Sequence, residues 1–164
     1  MKVTEARRFF FIEGEGATDV FARENWRGGV LNRDKYGWHR MPQVLWEALR
    51  DASADSVWWI CGYGVVGEVE PGAVSFAFDW NFFPTLPDNP AKTSTEWVAY
   101  NDSRTIAVLA DFDVTIVGAY QPFADQIDRL LAMSDTSLRK LTLDDMGDEN
   151  EWGFITALIK SAIK

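Results

Sequence analysis

Residues Thr95–Tyr120 read TEWVAYNDSRTIAVLADFDVTIVGAY, and the prediction of the fold begins from these residues. It contains three short apolar runs rich in β-branched and aromatic residues, which favour β-strands. Residues typical of turns separate the runs at Asn101–Ser103 and around Phe112–Asp113. Because runs this close together are joined by hairpins, the stretch predicts an antiparallel meander of three strands.

More strands are predicted on the N-terminal side of the meander. Val3–Glu13 contains the apolar run FFFI and predicts a first strand, whereas Arg27–Gly29 is expected to interrupt regular structure. From Ser56, the run SVWWICGYGVV is β-branched and aromatic. After a turn at Glu70–Gly72, the run AVSFAFDWNFF alternates as a strand does. Its residues on one face are Val74, Phe76, Phe78 and Trp80.

Three segments have the apolar spacing of amphipathic helices. They are Met41–Ala52, Pro122–Met133 and Trp152–Ile163, while Asn32–Arg40 predicts a loop. The chain shows no internal repeat and no linker that would separate two domains. We therefore expect a single α+β domain over residues 1–164. In it, about three helices pack on one face of an antiparallel sheet of about five or six strands.

The chain is acidic and rich in tryptophan. Its formal net charge is −9 and it has eight Trp, but only one His and one Cys. The negative charge disfavours binding to nucleic acid and to anionic membrane surfaces, and it suits a basic protein partner. A charged surface that serves solubility alone is the alternative.

The single cysteine and the N-terminus predict a cytoplasmic, reduced protein. Cys61 cannot form an internal disulfide and lies in the apolar run VWWIC, so we expect a buried thiol and not a nucleophile. The N-terminus lacks the layout of a signal peptide, since Glu13 and Glu15 follow a short apolar run. No apolar run approaches the roughly 20 residues that span a bilayer.

The motif VLADFDVTIVG resembles the nucleophile loop of haloacid-dehalogenase-type phosphatases. The resemblance implies that Asp111 attacks phosphorus, that Asp113 acts as acid and base, and that Mg²⁺ lies between them. The chain departs from the family pattern at Val114, where glycine is usual, and it lacks the alternating helices and strands of a doubly wound sheet. A small Mg-dependent phosphohydrolase is one alternative function. A plain hairpin turn, in which Asp is common, explains the same motif without an active site.

Arg23–Arg40 is a locally basic and aromatic stretch. Arginine beside aromatic rings can bind phosphates, single-stranded nucleic acid or an acidic protein patch, and it can equally neutralise nearby carboxylates. No motif of a Ser–His–Asp or Cys–His site accompanies His39, and one histidine disfavours a zinc site. We expect no catalytic site, no metal and no cofactor.

The densest run of carboxylates is DDMGDENE at Asp144–Glu151, directly before Trp152. Carboxylates beside an aromatic anchor suit a basic cleft, although a solvated loop is the alternative. The predicted partner-binding residues are Asp144, Asp145, Asp148, Glu149, Glu151 and Trp152, with Asp102 at a hairpin tip.

The chain is acidic, rich in tryptophan and without a catalytic set. In this overall character it resembles the immunity proteins that bacteria carry beside polymorphic or contact-dependent-inhibition toxins. The resemblance implies an immunity-type cytoplasmic protein that binds a basic, nuclease-like toxin and covers its active cleft. A further alternative is a small-ligand-binding α+β domain, in which a curved aromatic sheet encloses a pocket. The rings of that sheet are Trp58, Phe76, Phe78, Trp80 and Trp97.

Overall fold

An antiparallel sheet of six strands forms the centre of the part of the chain that the structure describes. The computed structural model describes residues 1–12, 20–32, 43–62, 72–77, 97–110, 114–133, 142–145 and 153–162. The strands are β1 (Trp26–Asn32), β2 (Val57–Gly62), β3 (Val74–Ala77), β4 (Trp97–Asn101), β5 (Ile106–Ala110) and β6 (Val114–Tyr120). They lie in the order β1-β6-β5-β4-β2-β3, and each neighbouring pair is antiparallel.

The predicted meander is confirmed and forms the middle of the sheet. Tyr100 pairs with Ala107 across β4 and β5, and Ala110 pairs with Thr115 across β5 and β6. Every residue of β4 and β5 is buried. These two strands are therefore the most protected part of the described chain.

Helices cover both faces of the sheet. On one face, Ile106 and Val108 of β5 share a core with helices α2 (Gln43–Ala52) and α3 (Phe123–Met133). On the other face, Ala107 and Leu109 share a second core with α1 (Val3–Phe10) and α4 (Gly153–Ala162). Successive strand residues point to opposite faces, so the continuous apolar run IAVLA supplies both cores.

The α+β class and the antiparallel sheet are confirmed, and the expected placement of the helices on one face is corrected. The three predicted helices form as α2, α3 and α4, but α4 lies on the face opposite to α2 and α3. Strands buried on both faces have unbroken apolar sequences, whereas a half-exposed sheet alternates apolar and polar residues. Among the described residues, no helix is long and apolar enough to cross a membrane.

The predicted first strand is wrong, because Val3–Phe10 forms helix α1. Val3, Ala6 and Phe10 are buried and follow the spacing of one helical face. The Glu5 carboxylate accepts a hydrogen bond of 3.0 Å from the backbone N–H of Lys2, which satisfies a free donor at the start of the helix. The run FFFI therefore spans the end of α1 and the two residues that follow it, and its buried members are Phe10 and Phe11.

The expected break at Arg27–Gly29 is also wrong, since these residues lie within β1. Gly28 faces Gly118 across the β1–β6 pair. A Cβ atom at Gly118 would collide with the Phe21 ring, and one at Gly28 would collide with the Val117 carbonyl oxygen. The glycines allow close packing inside the sheet instead of ending the strand.

Candidate functional site

The tip of the β4–β5 hairpin is held by the side chain of Asn101, which is only 1% exposed. Its Oδ1 accepts hydrogen bonds from the backbone N–H groups of Thr105 at 2.9 Å and Ile106 at 2.8 Å. Its Nδ2 donates to the Asp55 carboxylate at 2.7 Å and the Thr105 hydroxyl at 2.8 Å. One buried amide thus fixes the backbone of the turn from inside.

The connection between α2 and β2 holds the same tip from outside. The Asp55 carboxylate accepts hydrogen bonds from the backbone N–H of Ser103 at 3.1 Å and from its hydroxyl at 2.6 Å. The backbone N–H of Asp102 donates to the carbonyl of Val57 at 3.1 Å. Hydrogen bonds to a charged acceptor are among the strong ones, so the tip is a rigid element.

The rigid tip presents Asp102, one of the predicted partner-binding residues, to solvent. The Asp102 carboxylate accepts a hydrogen bond of 2.8 Å from the indole N–H of Trp59. This bond fixes the orientation of one carboxylate oxygen and leaves the other lone pairs for a partner. The structure therefore places Asp102 as an oriented, exposed anion.

Two arginines lie over one aromatic ring beside the tip. The guanidinium carbon of Arg23 is 4.3 Å from the centroid of the Phe9 ring, and that of Arg104 is 5.4 Å from it. Both arginine side chains are exposed, and Phe9 is half-buried. We call these three residues the Phe9 patch; each contact has the geometry of a cation–π interaction.

The backbone of Arg104 adopts the left-handed conformation, with φ at 57°. Its N–H closes the turn by donating to the carbonyl of Asn101 at 2.9 Å. Residues other than glycine, asparagine and aspartate rarely adopt this conformation, which costs about 1–2 kcal/mol. The surrounding hydrogen bonds hold Arg104 in it.

The Phe9 patch stands on a cluster of buried rings. The Phe9 and Phe10 centroids are 4.8 Å apart at an interplanar angle of 80°, and Phe10 contacts Tyr100 at 5.2 Å and Trp26 at 5.4 Å. Burial raises the pKa of the Tyr100 phenol to about 12, and the neighbouring Cys61 thiol adds to the rise. Phe10 contacts Phe9 on one side and the buried rings on the other, so it connects the patch to the core.

The acidic run Asp144–Glu151 lies mostly outside the described residues. Asp144 is exposed in a short 3₁₀ turn, Leu143–Asp145. The backbone of Asp145 belongs to the same turn. The other predicted members, Asp148, Glu149, Glu151 and Trp152, lie outside the described residues, so the joint surface remains a prediction.

The phosphatase alternative receives no support from the sheet. Asp111 and Asp113 lie outside the described residues, but Ala110 and Thr115 on either side of them pair as antiparallel neighbours. A doubly wound phosphatase sheet requires parallel strands, and every described strand pair is antiparallel.

Within the described ranges, no cluster of three or more His, Cys, Asp or Glu side chains could hold a metal ion. His39 also lies outside these ranges.

Two of the five rings proposed to line a ligand pocket are core residues. Trp58 and Trp97 are buried in the core with α2 and α3. Phe76 is in β3, while Phe78 and Trp80 lie outside the described residues. A cleft of about 250 Å³, counting the solvent at its mouth, lies between β1 and α3, away from these two tryptophans. Arg27 lines this cleft and pairs with Asp125 and Asp128.

Sequence reasoning found part of this site. Asp102 was expected at a hairpin tip, and Arg23 belongs to the predicted basic stretch. The sequence does not point to Phe9. The one signal for Arg104 is its place at the end of the turn NDSR, where left-handed residues are common.

Comparison with known protein families, curated proteins and solved structures gives no match for this chain.

Proposed function

We propose that this protein acts by binding another protein, as an immunity-type inhibitor that covers the active cleft of a basic, nuclease-like toxin. The observation that carries the proposal is the hairpin tip, which is locked by Asn101 and exposes Asp102. A loop fixed before binding loses little conformational entropy in the complex. Rigid tips that expose oriented charges are suited to recognising a partner of fixed shape.

The charge of the chain supports a basic partner. Acidic and basic side chains nearly balance within the described ranges, so most of the excess negative charge belongs to the segments between them. Asp102 and Asp144 add exposed carboxylates within the described part. A net charge of −9 accelerates the approach of a basic protein and repels nucleic acid that competes for it.

The arrangement of the described core favours surface recognition over the enclosure of a small ligand. Both faces of the sheet are filled by helices, and Trp58 and Trp97 pack inside one of the two cores. A drug-sized ligand occupies a pocket of roughly 300–1,000 Å³ that surrounds most of its surface. The cleft beside β1 is smaller than this range and open to solvent.

Co-expression with the toxin that the proposal places in the neighbouring gene tests the proposed function. We expect cells that produce both proteins to grow and cells that produce the toxin alone to stop growing. Asp102→Asn should weaken the protection, and Asp51→Asn, which changes an exposed aspartate that pairs with Arg50 on α2, should not. Failure of the wild-type protein to restore growth, when both proteins are made in soluble form, would contradict the proposal.

A further inference from the structure

We propose that the Phe9 patch binds a carboxylate of the partner protein, an inference that rests on the proposed protein-binding function. In this account, the partner's surface is basic opposite Asp102 and carries an acidic side chain opposite Arg23 and Arg104. Asp102 thus recognises a basic group, and the Phe9 patch beside it recognises an acidic group. Such a mixed pattern selects one partner among many basic proteins, because a wrong partner leaves the arginines unpaired.

Both arginines of the Phe9 patch are exposed, so a partner can reach their guanidinium groups. A guanidinium that lies over a ring uses its flat face, whereas its N–H groups point outward in its own plane. Among the described residues, neither Arg23 nor Arg104 forms an ion pair with a carboxylate. Each guanidinium carbon lies within 6 Å of the Phe9 centroid, and a guanidinium can bind a carboxylate through two parallel hydrogen bonds.

The left-handed backbone of Arg104 carries a cost that glycine would avoid, which supports a binding role for the side chain. Asn25 also has a left-handed backbone, with φ at 61°, but asparagine adopts this conformation readily. At position 104, glycine or asparagine would close the same turn without the cost that arginine carries. Strained residues of this kind occur preferentially at binding and switch sites.

The charges around the patch favour a single carboxylate over a polyphosphate. Asp102 is two residues from Arg104 and exposed at the same tip. A run of phosphates that continued past the arginines along the tip would meet this carboxylate. A protein side chain places one carboxylate on the arginines while its basic neighbours contact Asp102.

The test follows the arginine Nε–H signals by NMR at low ionic strength. The probes are a blocked octaglutamate peptide, inorganic phosphate, a short single-stranded DNA and a blocked octalysine peptide. We expect octaglutamate to shift the signals of Arg23 and Arg104 saturably, and each other probe to shift them less. A DNA that binds these arginines more tightly than octaglutamate, or an octaglutamate that leaves them unshifted, would overturn the inference.

Variants separate binding from folding. Arg104→Gly and Arg104→Asn suit the left-handed backbone and remove the guanidinium, so each should fold and bind octaglutamate about tenfold more weakly. Arg104→Lys keeps the charge but cannot form two parallel bonds, and it should also bind more weakly. Arg50→Gln on α2 is the matched control, with unchanged binding. Equal binding by Arg104→Gly and the wild type would overturn the inference.

The two experiments distinguish failure of the carboxylate site from failure of the proposed function. Octaglutamate binding without protection from the toxin would reject the toxin as the partner and keep the carboxylate site. Protection without octaglutamate binding would keep the partner and reject the Phe9 patch as its carboxylate site.

Discussion

The Asn101 carboxamide donates a hydrogen bond of 2.7 Å to the Asp55 carboxylate, which ties the β4–β5 hairpin tip to the connection between α2 and β2. Asn101 is buried at the end of a central strand, while the residues that follow it are exposed. The bond therefore ties the buried end of β4, which carries the exposed turn, to the connection before β2. It makes the proposed recognition surface continuous with the core.

Removing the Asn101 side chain should destabilise the protein. Asn101→Ala leaves the N–H groups of Thr105 and Ile106 without their acceptor and deprives Asp55 of a donor. Several hydrogen bonds in a part-buried network are lost together, so we expect the free energy of unfolding to fall by about 2–4 kcal/mol. Urea unfolding measures this change. Ser56→Ala, at an exposed neighbouring position, should cost less than about 0.5 kcal/mol, and an equal cost for both variants would contradict the account.

Filling the space at Gly118 should also destabilise the protein. An added methyl group would collide with the buried Phe21 ring, and we expect Gly118→Ala to cost about 1–3 kcal/mol. Gly72→Ala is the control, because no atom lies within 4 Å of the corresponding Cβ position. Thermal unfolding of the two variants tests whether the packing of Phe21 against β6 requires glycine. Similar melting temperatures for both variants would show that it does not.

The raised pKa of Tyr100 predicts a loss of stability at alkaline pH. The phenol ionises near pH 10 in the unfolded chain and at about 12 in the folded protein, so the folded state holds a proton that the unfolded state has lost. The free energy of unfolding should be insensitive to this group below pH 10 and fall by up to about 1.4 kcal/mol per pH unit between these values. Urea unfolding of the wild type and Tyr100→Phe over this range isolates the effect. A wild type whose slope matches that of Tyr100→Phe would contradict it.

The left-handed backbone at position 104 predicts an order of stability among variants that all lack the guanidinium. Arg104→Gly should be more stable than Arg104→Val by about 1–2 kcal/mol, because a β-branched residue is poorly tolerated at positive φ. Loss of the contact with Phe9 is common to both variants and cancels in the comparison. Chemical denaturation measures the difference. Equal stabilities would mean that the turn adopts another conformation in solution.

The sequence predicts those helices and strands whose pattern of apolar residues is contained within one short segment. The strands β4 to β6 and the helices α2 to α4 follow from short apolar runs and helical spacing. Helix α1 was mistaken for a strand, because three consecutive phenylalanines obscure the helical spacing of Val3, Ala6 and Phe10. Strand β1 was missed because two adjacent glycines are typical of turns, whereas here they permit close contact within a sheet.

The candidate site was harder to predict, because it depends on contacts between distant segments. Asp102 is recognisable from the local turn sequence. The Phe9 patch brings together a helix end, a loop residue and a hairpin tip, at positions 9, 23 and 104. No periodicity in a single sequence records that Arg23 and Arg104 share one ring. Only the packing of α1 against the sheet reveals it.

The affinity of the Asp102→Asn variant for the toxin measures whether the hairpin tip contacts the partner. Isothermal titration calorimetry should give a Kd about tenfold higher than that of the wild type, because a carboxylate oriented by Trp59 is replaced by a neutral amide. The exposed Asp51→Asn variant should bind with the wild-type Kd. If Asp102→Asn also binds with the wild-type Kd, the hairpin tip does not contact the partner, and the account is contradicted.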